Sequence, residues 1–123
     1  MIGIREFRKL AAQALQDIPE EFLEKLENVE VWVEEEPEPE MLEELGLDFP
    51  ETLFGIYQGQ PLGEQSFFQA PVLPNRITLF RRPILEVCRN REEVAEQIRR
   101  TVVHEIAHHF GFSEARLQEL GYG

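Results

Sequence analysis

All three histidines of this 123-residue chain fall within six consecutive positions, at His104, His108 and His109. The run His104-Glu105-Ile106-Ala107-His108 is followed by Gly111 and then by Glu114. On an α-helix, at about 100° per residue, His104 and His108 stand one turn apart on the same face, each about 160° from Ile106. Two imidazoles at that spacing can both direct a nitrogen at one ion about 2.0–2.1 Å away, the donor pattern of a zinc site. Glu105 is set a quarter turn aside, which places its carboxylate beside the ion, where it can take a proton from water polarised by the metal. A tetrahedral catalytic site needs three protein ligands and an open position. Glu114, ten residues after His104, is the first strong ligand beyond Gly111 able to swing back over the ion, and a His2Glu set leaves one position for water. A His-Glu-x-x-His match arises by chance in fewer than about one in a hundred chains of this length. His109 points about 60° from Ile106 and off the metal face, so packing or a helix-end charge interaction is its expected role.

The element that must position these groups is a helix of about five turns. Asn90 with Glu93 three residues later resembles a capping pair, and Glu92 and Glu93 complement the helix dipole. Val94, Ile98, Val102, Ile106 and Phe110 step by four along a core stripe. Gly111 stops the helix where a left-handed residue is usually needed, and Ser113 can cap a short closing helix from Glu114 to Leu120. At the other end of the chain, Ile4, Phe7, Ala11, Ala14, Leu15 and Ile18 predict an amphipathic helix near residues 3 to 17, with a further turn or two through Phe22, Leu23 and Leu26. Val29, Val31 and Val33 alternate with Glu30, Trp32 and Glu34 as in a half-buried strand. The acidic stretch from Glu34 to Glu51 reads as a solvated loop with one short helix around Met41 to Leu45. "TLFGIYQG" and "RITLFRR" are the other predicted strands, separated by a Gly- and Pro-punctuated connection in which Phe67 and Phe68 are expected to form satellite core.

Composition bounds the function classes. The chain has length for one domain, 1–123. It holds 24 Asp and Glu against 12 Lys and Arg, a formal net charge of −12. That balance argues against nucleic acid or an anionic membrane surface as partner, since phosphate contacts need clustered Lys and Arg; a metal ion or a basic peptide is easier to accommodate. Cys88 is the only cysteine, so no intramolecular disulfide forms and no thiolate cluster exists for structural zinc. The amino end carries a charge on every turn, unlike a signal peptide or membrane span, and a cytoplasmic location is expected.

At "VVHEIAHHFGFSE" the chain resembles the zincin metallopeptidases, and specifically the small bacterial minimal-zincin family whose signature is His-Glu-x-x-His-x-x-Gly-x-x-Asp. His104, Glu105, His108 and Gly111 match the family spacing, while Glu114 replaces the usual Asp and adds one methylene to the proposed third ligand. The likeness extends upstream through "FGIYQGQPL" and "PNRITLFRRPIL", covering roughly residues 53 to 120. It implies an α+β fold, a minimal zincin-like domain in which a small mixed β-sheet packs against the active-site helix, about 91–110, with additional N- and C-terminal helices. It also implies an edge strand that aligns an extended peptide by backbone pairing, for which "RITLF" is the natural candidate, with Arg76 and Thr78 near the cleft or simply at the strand end and sheet surface.

The expected function is therefore hydrolysis of a peptide bond with one Zn2+ held by His104, His108 and Glu114 and with Glu105 as general base. Tyr57 is a candidate oxyanion donor on chemistry alone. The alternative is a non-catalytic metal-binding or protein-interaction module on the same scaffold.

Overall fold

The computed structural model describes residues 2–20, 24, 29–45, 54–58 and 75–121, with the side chains of Leu42, Glu44, Leu45 and Glu114 outside that description. In chain order the elements are α1 (Ile4–Gln16), β1 (Val29–Glu34), α2 (Pro39–Leu45), β2 (Gly55–Gln58), β3 (Asn75–Phe80), α3 (Arg81–Val87), α4 (Arg91–Phe110) and α5 (Glu114–Glu119). The architecture is α+β, a small mixed sheet against one long helix with further helices at both ends.

The step-by-four pattern on α4 works as expected: Val94, Ile98, Val102 and Ile106 are fully buried. Facing them are Ile77 and Leu79 of β3, with Phe7, Leu10, Ala11 and Ala14 of α1, Ile84 of α3 and Leu117 of α5 completing the core. On β1 the period of two places Val29, Val31 and Val33 half-buried against that core and leaves Glu30, Trp32 and Glu34 exposed. Both ends of α4 are closed by local chemistry. The Asn90 side chain accepts from the Glu93 N–H at 2.9 Å, satisfying a donor that a helix start leaves without a partner, and Glu93 Oε1 accepts from the N–H of Arg89, just before the cap, at 3.1 Å. At the far end Gly111 adopts φ 76°, with Phe112 N–H donating to Ala107 O at 2.8 Å and Gly111 N–H to His108 O at 3.4 Å, the bonding of a Schellman stop. Ser113 Oγ then accepts from the Arg116 N–H at 3.1 Å and starts α5.

The strand order is β1-β3-β2, with β1 parallel and β2 antiparallel to β3. This corrects one expectation. "RITLF" lies in β3, the central strand, whose two edges are already paired, so it has no ladder to offer a peptide; among the described residues the strand at the edge beside α4 is β2. Arg76 is likewise drawn to the face of the sheet opposite α4, its Nε donating to Gln58 Oε1 at 2.8 Å and its guanidinium lying 4.5 Å from the Trp32 ring centroid. A second difference concerns "RITLFRR", read as strand through Arg82: the strand ends at Phe80 and Arg81–Val87 form α3. Pro83 sits in its first turn, where the missing N–H has no intrahelical acceptor to lose. The turn expected around Phe22 and Leu26, the connection carrying Phe67 and Phe68, and the acidic loop after residue 45 lie outside the described residues.

Candidate metal centre

His104 and His108 project from consecutive turns of α4, half-buried and exposed respectively. Their ring centroids are 6.2 Å apart and their planes cross at 76°. An ion held at about 2.0–2.1 Å by imidazole nitrogen lies about 3.2 Å from the ring centroid, so two rings on one tetrahedral ion stand about 5 Å apart. The observed spacing is wider than that by about 1 Å, a gap that ordinary side-chain rotation closes. The chemistry of the pair thus fits zinc. Two imidazoles do not complete a site, and among the described side chains no group of three or more His, Cys, Asp or Glu is placed to hold a metal. Glu114 opens α5 directly after the Gly111 reversal, which keeps its backbone close to the end of the histidine helix, but its side chain is outside the described set.

Glu105 stands between the histidine face and the core. It is 8% exposed, and a carboxylate at that depth needs hydrogen bonds to remain charged. One comes from the sheet: the Tyr57 backbone N–H donates to Glu105 Oε2 at 3.3 Å. Because amides alternate in direction along an antiparallel strand, an N–H spent on α4 is one directed away from β3, off the outer edge of β2. The outer edge of β2 and the carboxylate of Glu105 are therefore neighbours, and Glu105 is one helix position from His104. This proximity joins positions 48 residues apart, and no spacing rule in the sequence reports it.

His109 takes the packing role expected of it. Its ring stacks on Tyr57 with centroids 4.1 Å apart and planes at 28°, and meets Phe110 edge-on at 4.9 Å. Partial burial pushes its pKa below the usual imidazole value of 6.5, which favours the neutral ring in the stack. Burial also raises the Tyr57 phenol above 10.0, and its hydroxyl oxygen is buried with no hydrogen-bond partner among the described residues.

Comparison with known proteins bears on the same region. A family model described as zincin-like metallopeptidase matches residues 26–123, a span that includes the sheet, α4 and α5. Among solved structures, a conserved hypothetical protein from Thermus thermophilus is similar, with a TM-score of 0.56 and 26% identity over 93% of this chain and 99% of that one. No curated protein matches.

Proposed function

The chain belongs to the zincin-like metallopeptidase family, and on that footing we propose that it is a zinc-dependent peptidase of the minimal-zincin kind, formed as one domain over residues 1–123. His104, His108 and Glu114 hold the ion, and Glu105 is the general base. The observation that carries the reading is the placement of Glu105: a buried carboxylate tied to the sheet edge through the Tyr57 N–H, one helix position from His104. Bound at this set, zinc supplies a Lewis acid for a carbonyl oxygen and brings the pKa of water down toward about 7. Glu105 accepts the proton of the attacking water on its carboxylate and returns it to the departing amine. The outer edge of β2 supplies backbone groups along which an extended peptide aligns. With a net charge of −12, the surface favours basic peptides over acidic ones.

The test is a pair of measurements on protein purified without chelators or affinity tags. Elemental analysis is expected to find about one zinc per chain, and a fluorogenic peptide library to be cleaved with Zn2+ and spared with a chelator. Glu105→Gln is expected to keep the metal and to lose about 10²- to 10⁴-fold in rate. A variant that stays fully active, or that loses its zinc, removes Glu105 from the role of base.

A further inference from the structure

The side of α4 that meets β2 is separate from the side that carries the two candidate ligands. Thr101, Glu105 and His109 recur every four residues and so line one stripe of the helix. Each member touches the strand. A Cβ added at Gly55 would come within 2.9 Å of Thr101 Cγ2, the Tyr57 N–H meets Glu105, and the Tyr57 ring lies on His109. With four residues and, among the described elements, one strand partner, β2 has little ladder of its own. Its distance from α4 therefore depends on this stripe.

We infer that His109 and Tyr57 are positioning residues: the stack of their rings seats β2 on α4 and thereby holds the Tyr57 N–H against the Glu105 carboxylate. At 3.3 Å that hydrogen bond is already near the long limit, and a strand shift of about 0.5 Å is enough to break it. A single bond of this length does not hold the strand in place by itself. The stack does, because the Tyr57 ring is confined by the His109 face on one side and by the Phe110 ring, 6.1 Å away and edge-on, on another. The ring is the working part of Tyr57, since its hydroxyl makes no hydrogen bond among the described residues.

The coupling is a property of the metal-free protein; only its consequence for turnover rests on the proposed role of Glu105. The test therefore reads both. Amide hydrogen exchange of the Tyr57 N–H is followed by NMR in metal-free wild type, His109→Ala, His109→Phe and Tyr57→Phe. His109→Ala is expected to speed exchange by about tenfold or more, while His109→Phe and Tyr57→Phe, which keep a stack, stay within about threefold of wild type. With Zn2+ and a fluorogenic peptide, His109→Ala is expected to lower kcat about tenfold at unchanged KM and zinc content, and the two Phe variants to retain kcat. Unchanged exchange in His109→Ala overturns the inference. So does a loss of zinc in that variant, which would put His109 with the metal, or a loss of kcat in Tyr57→Phe at normal exchange, which would make the hydroxyl a reacting group. If wild type neither binds zinc nor cleaves peptides, the proposed function fails, while the exchange rates still decide the seating of β2.

Discussion

Glu105 is the one carboxylate among the buried polar side chains described, with Thr78 and Thr101. Its burial has a local explanation, the Tyr57 amide, and in the proposed role of general base a chemical use, since a base held in one orientation needs no reorganisation when a proton arrives. Cys88 shows burial without such a partner among the described residues. It sits at the end of α3, buried, and both desolvation and the nearby Glu93 carboxylate raise its pKa above 9.0. Iodoacetamide at about pH 8 should accordingly label the native protein far more slowly than the urea-unfolded chain. The sign for stability follows from the same shift. The unfolded thiol ionises first, so stability is indifferent to this group below its ordinary pKa and falls as pH rises from there toward the folded value. Replacing Cys88 by Ala should flatten that alkaline slope in urea titrations; equal slopes would mean that the thiol is not held neutral.

The elements divide the work of building the site. α4 carries the imidazoles and Glu105 on a frame whose start is held by Asn90 and Glu93 and whose end is set by Gly111. β2 brings the amide that meets Glu105, and Gly55 is what lets it come close enough. A Cβ there would stand 2.9 Å from both Thr101 Cγ2 and the Thr78 carbonyl oxygen, and the latter is backbone of the central strand that cannot move aside cheaply. Gly55→Ala should thus destabilise the fold by about 1–3 kcal/mol, as overpacking does elsewhere, measured from urea midpoints at constant m. A change below about 0.5 kcal/mol would show that β2 is not clamped between β3 and α4.

For the molecule as a whole, the family match begins at residue 26, after α1, yet α1 contributes Phe7, Leu10, Ala11 and Ala14 to the same core as α4. Glu6 also pairs with Arg91 at 2.5 Å, though so exposed a pair contributes little. α1 is thus bound chiefly by apolar burial. Phe7 is fully buried, and Phe7→Ala should cost about 3–5 kcal/mol, a large share of the roughly 5–15 kcal/mol that holds a domain together. Loss of α1 alone, with α4 intact by far-UV circular dichroism and an unchanged unfolding midpoint, would show it to be an appendage. Among the described residues no helix is long and apolar enough to cross a membrane.

The sequence by itself determined what depends on neighbours along the chain. The period of four on α4, the alternation on β1, the caps at Asn90 and Ser113 and the stop at Gly111 are local physics, and so is the shared face of His104 and His108. The end of β3 is misread for the same local reason, because Arg81 and Arg82 follow the strand run without a break, and only the helix they open shows them as its first turn. The tertiary structure alone decided which strand lies at the edge beside α4, and that Tyr57 meets Glu105 and His109. Strand order and contacts across 48 residues come from how apolar faces share one core, and residue spacing carries no record of that choice.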